Sequence, residues 1–268
     1  MPDTVEVNQK AAIGAQNTQI AYQENNQTIQ VGMSAEQASK IAIDLFMDNF
    51  PRLQQIAEET ALQRVNQFCE STIQQLIKDG ISDFSSFSDP DVQYVLLNAQ
   101  KDYARFGTEE MLETLGTLIS KRVKYNDDFY LKVIIDKALA IANMLSLQHL
   151  NLLSLLFICK HTSISDIHTI DDLDNHFKYI CDVFSPVDAH SMSFLNDMGC
   201  LKLNLSDIPE KYAKMCHIEK SMVEEILPQI IRDIDGDYGL SYVGIILAIT
   251  NAENQSNFIC DPKIWIHG

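Results

Sequence analysis

The chain has 268 residues, 46% of them hydrophobic, with 37 acidic side chains against 20 Lys and Arg and a formal net charge of −17. Length and apolar content suit one large domain or two small ones with a proper core. The charge argues against a nucleic-acid-binding face, which needs clustered Lys and Arg, and implies a solvated acidic surface.

Residues 1–32 are rich in Asn and Gln and poor in charge, a composition of polar leaders. Apolar pairs at period 2 punctuate them: Val5/Val7, Ile20/Tyr22 and Ile29/Val31. The last two flank Gln23–Gln27, a polar connection of hairpin length. A lone two-stranded hairpin is marginal in water, so these strands are expected to pair with other copies or with the body. Ile20, Tyr22, Ile29 and Val31 are the oligomerisation candidates, and a homo-oligomer is the expected partner state.

Ser34 and Gln37 then form a capping box. A helix over 35–50 sets Ala38, Ile41, Ala42, Leu45 and Phe46 on one face. Pro51 is expected to kink it or to start a second helix, whose stripe runs from Leu53 to Ile77 before Gly80. Phe84 and Phe87 anchor the following loop.

Asp89 to Arg122 is expected to be the centre of the fold. Asp89–Pro90 reads as a cap with proline at the first helical position. Val92, Val95, Leu96, Ala99, Tyr103 and Phe106 fall on one stripe, with Leu97 and Ala104 widening it. Gly107 stops the helix, and Thr108 caps a second one rich in leucine. Gln93, Gln100, Tyr103 and Arg105 are the polar hub candidates: an internal network holding helices in register, or the lining of a small-ligand pocket.

After Asp127, two apolar helices are expected over 128–144 and 146–160 as an antiparallel hairpin. Ala138–Cys159 carries no formal charge, but Asn143, Ser146, Gln148, His149, Asn151 and Ser154 interrupt it, which favours a buried hairpin over a membrane span. A helix follows Asp171 to Phe184, and a short one ends near Met198. Cys200–Leu205 alternates like a strand. Pro209–Cys216 and Glu219–Asp233 read as helices, the latter kinked at Pro228. Tyr242–Ala252 is a buried helix, with strand as the alternative. Phe258–Cys260 and Ile264–Ile266 look like two short terminal strands.

The predicted fold is mainly α, a multi-helix bundle-like body with a short N-terminal β leader and a few short C-terminal strands. The expected divisions are a leader at 1–32, a helical body at 33–185, and a smaller α+β region at 186–268 packed on that body.

Chemistry-bearing motifs are weak. Cys159-x-His161 and Cys216-His217 lack zinc-knuckle spacing, and Asp233, Asp235 and Asp237 miss the Gly and Glu of a calcium loop. There is no phosphate-binding glycine loop, nucleophile elbow or zincin helix. Adjacent acids such as Glu109/Glu110 diverge on a helix. No catalytic residue, metal ligand or cofactor is assigned. Six cysteines without a C-x-x-C pair, and no apolar signal core at the N-terminus, point to a reducing, cytoplasmic setting.

The run DPDVQYVLLNAQKDYARFG, followed by an acidic pair and a leucine-rich helix ending SKR, resembles an uncharacterised bacterial family that carries locus-tag names. The leader NTQI…NNQTIQV, the hairpin LSLQHLNLLSLLFICKH and the late GCLKLNLSD fit it too, over roughly residues 12–215. Similar leaders precede proteins associated with antiphage defence or conflict systems, so the resemblance implies a sensor or adaptor that acts by binding. No catalytic residues come with the resemblance. The alternatives are an effector enzyme, hydrolase or nuclease-like, with a site assembled from scattered residues, and an acidic inhibitor of a basic partner.

Overall fold

The computed structural model describes residues 23–24, 27–28, 35–163, 167–256 and 258–267. Its contacts divide the chain into two units, Met1–Thr60 and Ala61–Gly268.

In the first unit, β1 (Gln23–Glu24) pairs antiparallel with β2 (Gln27–Thr28), Gln23 opposite Thr28 and Glu24 opposite Gln27. The pairing falls within the segment expected to be the polar connection, so the hairpin closes more tightly than the apolar pairs suggested. Ile20, Tyr22, Ile29 and Val31 lie outside the described residues, as do Val5 and Val7.

Helix α1 runs unbroken from Ala35 to Lys78, with Pro51 inside it. The expected restart at Pro51 does not occur. Proline removes one hydrogen bond and crowds the carbonyl four residues back, but strong helix formers (Leu53, Gln54, Gln55, Ala57, Glu58, Glu59) follow it and carry the ladder on. Asn49 donates from its side chain to the Leu45 carbonyl at 2.7 Å. Before Thr60, Ile41, Leu45, Leu53 and Ile56 are each about half exposed.

In the second unit the same helix buries Phe68, Thr72 and Leu76. Phe68 stacks on Tyr103 of α2 (Pro90–Phe106), ring centroids 6.0 Å apart. Arg64 donates to the carbonyls of Ala104 at 3.0 Å and Arg105 at 2.9 Å, satisfying the last turn of α2. Gly107 ends that helix at φ 65°, and a Cβ there would lie 2.2 Å from Arg64 Nε. Glycine is therefore required twice over, by backbone and by the guanidinium.

Next come α3 (Glu109–Lys124), α4 (Phe129–Ala142), α5 (Leu147–Leu156), a π turn (Phe157–His161), α6 (Ile170–Val183) and α7 (Met192–Asp197). Strand β3 (Leu201–Leu203) leads to α8 (Ile208–Cys216), α9 (Lys220–Ile226) and α10 (Gln229–Ile234). Strand β4 (Tyr238–Leu240) returns to pair antiparallel with β3, Leu201 opposite Leu240. The chain then enters α11 (Tyr242–Gln255) and the short α12 (Lys263–Ile266). Leu227 and Pro228 separate α9 from α10, where a single kinked helix was expected.

The centre of this unit is α5 against α11, which also packs on α3 and α4. Every residue from Leu150 to Leu156 and from Gly244 to Ala252 is buried. This corrects the placing of the centre at Asp89–Arg122. Its second half, α3, is buried from Met111 through Leu112 and from Thr114 to Val123, but α2 leaves Tyr94, Leu97 and Phe106 in solvent and covers the core from one side.

The terminal strands expected at 258–260 and 264–266 are also corrected. Residues 258–260 are irregular and 263–266 are helical. Asp261 accepts the Lys263 N–H at 3.0 Å, and Pro262 supplies a helix-ready φ, so a cap overrides an alternation too short to hold. One hydrophobic cluster runs from Phe68 to Ala252. Among the described residues no helix is long and apolar enough to cross a membrane.

Candidate functional site

The local feature that departs most from regular helix is the π turn that ends α5. Such turns insert an extra residue and are frequent at functional sites. Here the turn is pinned from four sides. Lys211 donates to the Cys159 carbonyl at 2.7 Å and to the Thr162 carbonyl at 2.5 Å. Thr162 Oγ1 donates to the Ile158 carbonyl at 2.8 Å. The Leu240 N–H donates to His161 Nε2 at 3.2 Å, which leaves the ring proton on Nδ1. Lys160, its side chain fully buried, donates to the Gly236 carbonyl at 2.6 Å and lies 3.5 Å from Asp235.

Burial governs the protonation states. It holds His161 down to about 4, with Lys202, Lys211 and Lys160 adding to the effect. It lowers Lys211 to about 8 and raises the Asp235 carboxyl. The thiols of Cys159 and Cys200 are pushed up to about 12, so both sit as neutral packing groups rather than nucleophiles.

Beside the π turn, between it, α6 and the segment after α11, opens a cleft of 440 Å³. Its walls are mostly apolar: Ile158, Ile180, Val183, Phe184 and Phe258. The hydroxyl protons of Thr162 and Ser256 are already given to the Ile158 and Ala252 carbonyls. His176 is different. Its Nε2 is buried and has no hydrogen-bond partner among the described residues. Burial first, and Lys211 second, lower this imidazole to about 4, so it is neutral at pH 7. Because that nitrogen is buried it is not open to the cleft, whose lining also includes Ser163 and Tyr179.

A second cleft, of 290 Å³, lies between α1 and α2 and is lined by Phe68, Thr72, Leu76, Phe84, Phe87 and Gln100 among others. The Thr72 hydroxyl there is also buried without a partner among the described residues.

The four polar hub candidates are not hydrogen-bonded to one another among the described residues. Gln93 is exposed and donates to the Phe87 carbonyl at 2.9 Å. Gln100 lines the second cleft, its Nε2 3.6 Å from Cys69 Sγ. Tyr103 is buried on Phe68, and Arg105 is exposed with its guanidinium 4.8 Å from the Phe106 ring.

Two polar networks lie elsewhere. Arg122, 1% exposed, donates to Asp136 at 2.6 Å, Asn126 at 2.6 Å and Asp91 at 2.7 Å, while Lys132 bridges Asp91 at 2.5 Å. In the centre, Asn251 donates to Ser154 Oγ at 2.8 Å and to Asn151 at 3.1 Å, and Gln255 donates to Asn151 at 2.5 Å. The first had a signal in the sequence: Arg122 lies four residues after Leu118 and three after Ile119, on their buried face. Its neighbours Lys121 and Lys124 mask that signal by placing it in a run of cations at the end of α3. Among the described residues no group of three or more His, Cys, Asp or Glu is placed to hold a metal ion.

Fold and site together define a mainly α-helical protein with a polar-stitched core and an apolar cleft at a π turn. The chain belongs to a family known by a locus-tag name, whose model matches residues 32–236. Comparison with curated proteins and with solved structures gives no match.

Proposed function

We propose that this protein acts by binding rather than catalysis, and that copies of it associate through the first half of α1. The observation that carries this reading is a symmetry in the exposed stripe. Ala42, Leu45, Asn49, Leu53 and Ile56 are all exposed, and their spacing is 3, 4, 4, 3, the same read in either direction about Asn49. Ala38 and Thr60 extend it by four on each side. An isologous two-fold contact needs such self-complementarity.

Antiparallel pairing centred on Asn49 sets Leu45 against Leu53, Ala42 against Ile56, and Lys40 against Glu58 of the second copy. From Ala38 to Thr60 the paired stretch is roughly 33 Å long at about 1.5 Å per residue. A polar Asn at the centre of an apolar helix seam fixes register at some cost in stability. The symmetric seam favours a second copy over an unrelated partner. A role as sensor or adaptor in antiphage defence is the setting that the resemblance of the leader suggests, with self-association as its output.

Light scattering on the eluting full-length protein tests this, beside a chain lacking residues 1–32 and a Leu45→Ser/Leu53→Ser/Ile56→Ser variant. The expected result is a multiple of 30.3 kDa for the first, kept in the second and lost in the third. A dimer that depends on residues 1–32 alone moves the contact to the leader. A monomer in all three at up to about 100 μM removes the proposal.

A further inference from the structure

The cleft between α1 and α2 is a second binding element, independent of self-association through the first half of α1. We propose that it is a binding site for a small neutral carboxamide on a hydrocarbon body, whose amide pairs with the side-chain amide of Gln100.

The lining is mostly hydrocarbon. Phe68 and Leu76 are buried within it, while Ile73 and Phe84 remain 51% and 44% exposed. A guest in the cleft takes that apolar surface out of water. At 290 Å³ the cleft stands at the lower end of small-molecule pockets, about 300–1,000 Å³, so the guest is small.

Gln100 supplies the polar contact, and a guest can reach it. The side chain is partly exposed, and the hydrogen bond its Nε2 donates goes to the exposed Cys69 Sγ at 3.6 Å. Sulfur is a weak acceptor. Among the described residues the Gln100 Oε1 has no hydrogen-bond partner, so an acceptor and a second N–H are left to use. A carboxamide presents an N–H and a C=O side by side and meets both. A carboxylate cannot donate, and apolar walls penalise its charge. A plain hydrocarbon leaves the amide unused.

The walls are tied together without a guest. Arg64 of α1 donates to the last turn of α2, and Gln93 donates to the Phe87 carbonyl. Little ordering is therefore lost on binding.

The test uses the full chain and three probes sharing one apolar body: 4-butylbenzamide, butylbenzene and 4-butylbenzoate. Binding is read by calorimetry and by the rate at which iodoacetamide modifies Cys69, followed by peptide mass spectrometry with the half-buried Cys181 and Cys260 as internal references. The expected result is that the benzamide binds and slows modification of Cys69 alone, that butylbenzene binds about tenfold more weakly, and that the benzoate is weakest. Gln100→Leu should bring the benzamide down to the hydrocarbon. Ile73→Glu, at a half-exposed position, should weaken both, with circular dichroism confirming that each variant folds. Benzamide binding that leaves Cys69 unprotected, a preference over butylbenzene that is absent or survives Gln100→Leu, or unchanged binding in folded Ile73→Glu overturns the assignment. So does no binding of the benzamide at millimolar concentration.

Discussion

One helix, α1, carries apolar side chains along both halves, and only the second half reaches the buried core. After Ala61 it lays Phe68, Thr72 and Leu76 into a packed interior. Before Thr60 it carries Ile41, Leu45, Leu53 and Ile56 about half exposed. A helix holds its hydrogen bonds within itself, so both halves form alike. What separates them is whether the described residues supply a surface to cover the apolar stripe. Most helical stability in proteins comes from such packing rather than from propensity. The uncovered half is therefore the part of the molecule with stability still to gain from a partner.

The sharpest way to break this contrast is one truncation in each half. Phe68→Ala should cost about 3–5 kcal/mol in urea unfolding, since it opens a cavity under Tyr103. Leu53→Ala should change the unfolding of the dilute monomer by no more than about 0.5 kcal/mol, while weakening association. Equal costs in dilute protein would mean the two halves are not different in kind.

Next in size is Arg122→Met. It strips the guanidinium from Asp91, Asn126 and Asp136, leaving Asp91 on Lys132 and Asp136 without its cation. The expected loss is about 3 kcal/mol, with no change in association. A neutral result would show that the network is decorative.

A smaller, graded effect should come with acid. His161 and His176 are held near 4 in the folded chain by burial, against about 6.5 when unfolded. The unfolded state therefore binds more protons between these values, so stability is full above about 6.5 and falls as pH drops towards 4. His176→Phe should flatten the slope of melting temperature over that window. An unchanged slope would mean that this imidazole is already protonated in the fold. Smallest of all, Thr72→Val removes a buried hydroxyl without a partner among the described residues and should be neutral or stabilise by up to about 1 kcal/mol. It leaves the first half of α1 untouched, so association should not move.

What the sequence makes legible follows the range of the forces involved. The Asp89–Pro90 start, the Gly107 stop and the Thr108 cap are written within a few residues, and each stands where expected, Asp89 accepting from the Asp91 N–H and Thr108 from the Met111 N–H. The mainly α fold class follows from the same local signals. The 258–260 and 264–266 alternations misled because three residues cannot distinguish a strand from a capped turn. Pro51 left a kink and a restart both open, and the helix does not restart there because one lost bond is weak against the strong helix formers that follow it.

The cleft at the π turn could not be read ahead at all. His176 lines it only because α6 packs beside the π turn, and the π turn depends on Lys211, which lies far along the chain. The Asn151–Asn251 contact spans a sequence separation of 100 residues, and no periodicity within either helix encodes it. The stripe about Asn49 is the opposite case: its spacing is plain in the sequence, and its exposure is what gives it a meaning.

The proposed contact through that stripe is tested most directly by position-specific cross-linking. In a Cys69→Ser background, which removes the exposed native thiol on α1, Asn49→Cys places a thiol on the proposed two-fold axis, and Lys40→Cys places one well away from it. Under mild oxidation the account predicts a covalent dimer from Asn49→Cys and little from Lys40→Cys. Equal cross-linking of the two, or a purely monomeric Asn49→Cys protein at about 100 μM, would contradict it.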